Sequence, residues 1–304
     1  MGDTRWTPAD IPDLTGRRAL VTGVTSGLGR AVVEVLAGHG CSVVLAARNE
    51  ERLAAATSEV SAQVSGADLR PLVVDLASLA SVRRAAEEAA SYGPLHLLVN
   101  NAGVMATPYQ RTADGFELQM ATNVLGPFAL TGLLLPRLVA GGSSRVVYVS
   151  SAAHRLARTP PVGDPRLQRG RYRRWQVYGQ TKLANLLLTF ELDRRAREAG
   201  LPLVAVAAHP GLAATQLMAS GQRRAGGRIL DAAFSLLGQP AALGARPLLM
   251  AATADLPGGT YVGPGGPGEV RGLPQIVGAS ALARDGEAAR RMWEMAEAAT
   301  GVHY

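Results

Sequence analysis

Short runs of β-branched and leucine residues alternate with helical patterns along most of this chain, and that alternation restricts it to a parallel sheet covered by helices on both faces. The runs lie at residues 18–22, 42–46, 69–74, 95–99, 145–149, 203–207 and 260–262. Helices are expected after the glycines that follow residue 22, through residue 36, and then over 50–64, 78–90 (opened by Ser78 as N-cap), 113–138, 177–198, 226–237, 240–252 and 286–299. Right-handed crossovers turn this order into an α/β fold, a three-layer doubly wound parallel sheet that binds ligands at the carboxyl ends of its strands. No shift of composition marks a linker. Residues 16–304 therefore read as a single domain behind an N-terminal extension, residues 1–15.

Composition removes several function classes. With 47% hydrophobic and 18% charged residues in 304, the chain is neither disordered nor a charge-rich coiled coil. The single Cys41 cannot form an internal disulfide, and the five histidines lack metal-ligand spacing, which argues against metal chemistry. The first residues are acidic and proline-containing where an export signal would be basic and then apolar. The greasiest stretch, 121–141, is interrupted by Asn123, Pro127, Pro136 and Arg137. A cytoplasmic protein with no membrane span is expected. Of the net charge of +7, the segment 155–174 supplies +6 through seven arginines and one acid, Asp164. Tyr172 and Trp175 lie in or beside it, but it reads as a solvated loop, and no nucleic-acid partner is expected.

One oddity carries chemistry. The 31 basic residues include one lysine, Lys182. A planar guanidinium cannot replace a compact ammonium on a flexible stem, so this position is a candidate for work that only an amine does. Tyr178 lies four residues earlier on the same expected helix face. An ammonium beside a phenol favours the phenolate, and a phenol so tuned can give a proton to an alkoxide or take one from an alcohol. Ser150 and Ser151 end the fifth strand, where a hydroxyl can hold a carbonyl oxygen. No Gly-x-Ser-x-Gly elbow supports a hydrolase, and His154 and His209 read as loop and structural residues.

The turn after the first strand reads Thr22-Gly23-Val24-Thr25-Ser26-Gly27-Leu28-Gly29. Gly23 permits the turn, Gly27 lets the backbone approach a pyrophosphate, and Gly29 lets helix pack on strand. Arg48 ends the second strand where an NAD site would place a carboxylate, and an arginine there pairs with the 2′-phosphate of NADP(H). Asp75, past the third strand, suits the adenine amino group, and Asn100-Asn101-Ala102-Gly103 suits a backbone passing close to a ribose.

TGVTSGLG, NNAG, Asn123 in the following helix, a strand ending in VSS, YGQTK and HPG, in that order, resemble the short-chain dehydrogenase/reductase family. VVYVSSAAH, KLANLLL and HPGLAATQL bring the chain nearest to its retinol-dehydrogenase-like branch. The resemblance implies a Rossmann-type fold and four catalytic positions: Tyr178 as acid/base, Lys182 lowering its pKa and holding the nicotinamide ribose, Ser151 orienting the substrate oxygen, and Asn123 holding a water as a proton relay. It also implies cofactor contacts at Gly23, Ser26, Gly27, Leu28 and Gly29, at Asp75 and Leu76, at Asn101, Ala102 and Gly103, and at Pro210, Gly211 and Thr215. Val24, Thr25 and Thr181 depart mildly from the family pattern.

The expectation is an NADP(H)-dependent alcohol/carbonyl oxidoreductase acting on a small hydrophobic or aromatic ketone or secondary alcohol, beneath a lid at about 212–237. A homodimer or homotetramer built on the helices from Ala113 and Val177 is the assembly that similar family members suggest. The alternative is a non-catalytic NAD(P)-binding sensor or scaffold. It would have lost a catalytic residue, and none of the four is missing.

Overall fold

The computed structural model describes residues 6–167, 171–212 and 239–304. Its strands are β1 Arg18–Thr22, β2 Ser42–Ala47, β3 Leu69–Val73, β4 Leu97–Asn100, β5 Ser144–Val149, β6 Leu203–Ala208, β7 Tyr261–Pro264 and β8 Pro274–Ile276. They form one sheet in the order β3-β2-β1-β4-β5-β6-β7-β8, parallel except for the antiparallel pair β7–β8. The direction of winding reverses between β1 and β4, which places a crevice beyond their carboxyl ends.

The interior strands are apolar over most of their length because both faces are buried, whereas the edge strands β3 and β8 are largely exposed. From β1, Leu20 points to one layer while Ala19 and Val21 point to the other. The second layer packs helices α1 Gly27–Gly38 and α2 Glu50–Gln63 with the later α6 Arg246–Thr253. The first packs α3 Leu79–Ser91, α4 Gly126–Ala140, α5 Arg174–Glu198 and α7 Gly286–Thr300. The segment Leu118–Ala140 is long and apolar enough to cross a membrane by length and composition, and 67% of its most apolar window is buried inside the protein. The N-terminal residues are not detached: Ile11 is buried, and Trp6 and Leu14 pack on the second layer.

Several expectations shift. Residues 113–117 are not helical; Gly115 sits at φ +81°, and Glu117 caps a short helix by accepting from the Met120 N–H. A π-helical turn, Ala121–Leu125, follows before α4. Ser78 caps α3 as expected, through Ser81 N–H. The helix containing Tyr178 begins at Arg174, three residues early. Strand β8 was not anticipated, since three residues beginning with proline give no alternation to read. The expected helix over 226–237 and the lid at 212–237 lie, apart from Leu212, outside the described residues.

Candidate active site

The loops that follow β1 to β6 meet at one edge of the sheet around a cleft of about 680 Å³. That volume suits a cofactor-sized ligand. Of the site residues read from the sequence, all but two line it: Asn123 lies behind the wall, and Thr215 is outside the described residues.

At one end lies the glycine turn. Gly23 has φ +74°, and a Cβ there would stand 2.8 Å from the Ala102 backbone. A Cβ on Gly29 would meet the Gly23 carbonyl at 2.3 Å. Asn101 and Ala102 donate their backbone N–H groups to the Thr22 hydroxyl, each at 3.0 Å, and the Asn101 amide donates to the Thr22 carbonyl at 2.8 Å. Asn101 thus ties its loop to the turn as well as lining the cleft. Ser26, the residue before α1, makes no side-chain cap, which leaves the first N–H groups of the helix to an anion. These features fit the pyrophosphate of a dinucleotide.

Next along the wall are Ala46, Ala47, Arg48, Asn49 and Arg52. Asn49 caps α2 by accepting from the Arg52 N–H at 2.8 Å. Arg52 is a second cation at this end that the sequence reading missed; its spacing of four from Arg48 was the available signal. No carboxylate lies among residues 46–49. Asp75 lines the cleft beside Leu76, with one oxygen accepting from the Ala77 N–H at 2.9 Å.

At the other end, β5 delivers Ser151 and α5 delivers Tyr178 and Lys182. The Lys182 ammonium donates to the Val149 carbonyl at 3.0 Å and stands 5.7 Å from the centre of the Tyr178 ring. Burial depresses its pKa to about 8. Burial also pushes the Tyr178 phenol up to about 12, against the opposing pull of a hydrogen bond with Ser151. Burial is thus the larger influence on the phenol, and Ser151 the group that opposes it. Both side chains are almost wholly buried, and desolvation disfavours phenolate and ammonium alike.

Ser151 opens a 3-10 turn, Ala152–Leu156, and accepts from the Ala153 N–H. His154 is fully buried, not a loop ornament: its Nε2 accepts from the Ser280 N–H, so its Nδ1 donates to the Ser151 carbonyl at 2.8 Å. Asn123, 1% exposed, sits in the π turn. Its oxygen accepts from Val104 N–H at 2.8 Å, and its nitrogen donates to the Val104 carbonyl at 2.9 Å and the Thr181 hydroxyl at 3.1 Å. The side chain clamps the ribose loop to α5 and does not reach the cleft.

His209 is buried beneath Pro210 and Gly211. Its Nδ1 accepts from the Gly211 N–H at 3.3 Å, and its Nε2 faces a Glu269 carboxylate oxygen 2.9 Å away. Burial lowers the pKa of His209 to about 4, which keeps it neutral. Glu269 was missed from the sequence. Burial pushes its carboxyl up, but Arg155, held in two hydrogen bonds, outweighs that and keeps it ionised. The pair fastens the segment after β7 to the cleft wall.

The family model for short chain dehydrogenase matches residues 17–162. Mouse polyprenol dehydrogenase is 39% identical over 99% of this chain and 88% of its own length. Human retinol dehydrogenase 12 is 39% identical over 67% of this chain, an alignment covering 64% of that protein. Among solved structures, an uncharacterised Mycobacterium paratuberculosis protein superposes with a TM-score of 0.81 at 41% identity, covering 99% of both chains. A Beutenbergia cavernae protein described as a gluconate 5-dehydrogenase, with NADP at low occupancy, gives 0.63 at 25% identity over 82% of this chain and 95% of its own.

Proposed function

This chain belongs to the short-chain dehydrogenase/reductase family, in its retinol-dehydrogenase-like branch, and from that premise we propose that it is an NADP(H)-dependent oxidoreductase interconverting a hydrophobic ketone and its secondary alcohol. The observation that carries this reading is the convergence of Ser151, Tyr178 and Lys182 on one wall of a cleft whose far end is the glycine turn.

The bound nicotinamide dinucleotide supplies or accepts the hydride. Of the residues lining the cleft, Gly23, Ser26, Gly27, Leu28 and Gly29 would hold its phosphates, Asp75 and Leu76 its adenine, Asn101, Ala102 and Gly103 its central ribose, and Pro210 and Gly211 its nicotinamide. Arg48, joined by Arg52, favours the 2′-phosphate, since a guanidinium offers paired donors where NAD would require an acceptor. During reduction, Ser151 hydrogen-bonds the substrate carbonyl and Tyr178 delivers the proton to the forming alkoxide; in oxidation Tyr178 takes it. A phenol held at about 12 is protonated at neutral pH, ready to donate. Lys182, partly neutral near its pKa of about 8, holds the nicotinamide ribose and favours the phenolate as it forms. Asn123 keeps the ribose loop and α5 in register, so we assign it a positioning role.

The test is turnover of a panel of apolar ketones and secondary alcohols, followed by the absorbance of reduced cofactor, with NADPH and NADH side by side. NADPH is expected to win. Arg48→Asp should lower kcat/KM for NADPH by roughly 100-fold and spare NADH, as expected for removing one partner of a charge-assisted pair. Unchanged preference would place recognition of the 2′-phosphate elsewhere.

A further inference from the structure

Strands β5 and β6 each end in a turn on the cleft wall, and the backbone ladder between them stops short of both turns. Its last bond runs from the Ser150 N–H to the Ala208 carbonyl, at 2.8 Å. Beyond it the two chains part, one bearing Ser151 and the other His209, Pro210 and Gly211. No hydrogen bond joins residues 151–157 to residues 209–212. Among the described residues, Glu269 is the charged side chain that meets both turns. Its two oxygens accept from Arg155, in the Ser151 turn, at 2.9 and 3.2 Å, and one of them also faces His209 Nε2. The backbone around it supports the second turn. The Leu212 N–H donates to the Val270 carbonyl at 2.8 Å, and a Cβ on Gly211 would collide with that same carbonyl.

Glu269 holds this place in an unfavourable conformation. Its φ is +56°, and only Ala106 and Leu167 share a left-handed φ among the described non-glycine residues. Such a backbone persists where the surroundings over-determine it, and it is commonest at functional sites. We propose that Glu269 is a positioning residue for hydride transfer: it braces the Ser151 turn against the His209–Gly211 turn and so fixes the substrate oxygen relative to the nicotinamide. The proposal rests on the reading of this cleft as an oxidoreductase site, with Ser151 at the substrate and Pro210 and Gly211 at the cofactor. Misplacing reacting groups by 1 Å lowers a rate by about 100-fold. A guanidinium and carboxylate joined by two directional bonds resist such a shift. A partly exposed ion pair adds little to stability, so stability alone gives no reason to keep a glutamate where glycine would be relaxed.

Glu269→Gly removes the carboxylate and relieves the backbone, so the melting temperature should hold. Arg155→Met cuts the same brace from its other side and leaves the negative charge in the cleft. Single-turnover stopped flow is run with saturating NADPH and the ketone of the panel that turns over fastest. Both variants should oxidise the cofactor with the parent's full amplitude but roughly 100-fold more slowly. Deuterium at the transferred C4 position should slow that phase further. NADPH affinity should stay within a few-fold, because the glycine turn and Arg48 are untouched. The double variant should be no slower than the slower single one, since both remove one contact. Hydrogen exchange in residues 151–157 and 209–212 should quicken together in each variant. Reduced amplitude at the parent rate would reveal a merely structural role and overturn the proposal. A slow Glu269→Gly beside a parent-like Arg155→Met would place the effect on charge and overturn it too, as would unchanged exchange in the two segments. Quickened exchange in both, with a parent that reduces no ketone, would defeat the assigned activity and leave the brace standing.

Discussion

Lys182 shows how a site residue works against the stability of the fold that holds it. Its ammonium is 4% exposed, has no carboxylate partner among the described residues, and titrates near 8 in place of 10.5. A base whose folded pKa is depressed resists protonation in the native state. It therefore destabilises the fold below about pH 8, and the penalty fades as pH rises toward 10.5. Lys182→Met should abolish turnover yet stabilise the fold at neutral pH by about 3 kcal/mol, because Asn185 still donates to the Val149 carbonyl. Thermal melts check it: the gain should shrink by more than half near pH 9.5. The place of this residue on the cleft wall was anticipated from its being the sole lysine, four residues after Tyr178. Its depressed pKa and the raised pKa of Tyr178 were not, because burial is set by packing across the sheet. Glu269 was illegible for a related reason, since nothing in the order of residues announces that Arg155 and His209 converge on it across more than fifty positions.

At the scale of elements, the strands and the β1–α1 turn could be read because buried parallel strands are apolar throughout and glycines mark close approach. Helix starts were read less well. The stretch 113–117 looks helical in composition, but the left-handed Gly115 and the capping carboxylate of Glu117 delay the helix. The site depends on the contact between α5 and the turn that carries Ser151. A Cβ on Gly179 would stand 2.7 Å from the Ala153 carbonyl and 3.3 Å from the Leu156 side chain. Gly179→Ala should push the turn off the helix at a cost of about 1–3 kcal/mol. Misplacing Ser151 relative to Tyr178 should lower kcat by roughly 100-fold while NADPH affinity holds. Stopped-flow turnover beside cofactor titration separates the two, and an unchanged kcat would show that the turn does not position the hydroxyl.

For the whole molecule, the chain's own C-terminus bears on assembly. Helix α5 is buried through most of its length, and α7 lies against it: Arg195 stacks 4.5 Å above Trp293, which meets Phe128 in a T-shaped contact and Tyr304 in a tilted one. None of the large exposed apolar residues belongs to α4, and on α5 the only one is Trp175 in its first turn. Two-fold pairing through α4 and α5 would have to displace α7. Light scattering at micromolar concentration should therefore give the mass of one chain, 31.6 kDa, and a dimer blocked by a charge introduced on α4 would contradict this. The sequence reading left a homodimer or homotetramer on these helices open, because helix pairing depends on what the last helix covers, and that is not legible in the order of residues.

The central claim is that Tyr178 moves the proton, and Tyr178→Phe tests it most directly. With NADPH binding followed by fluorescence and turnover by absorbance, the account predicts affinity within a few-fold of the parent and a rate lower by roughly 100-fold or more. A variant that binds NADPH and still reduces ketone at the parent rate would contradict it.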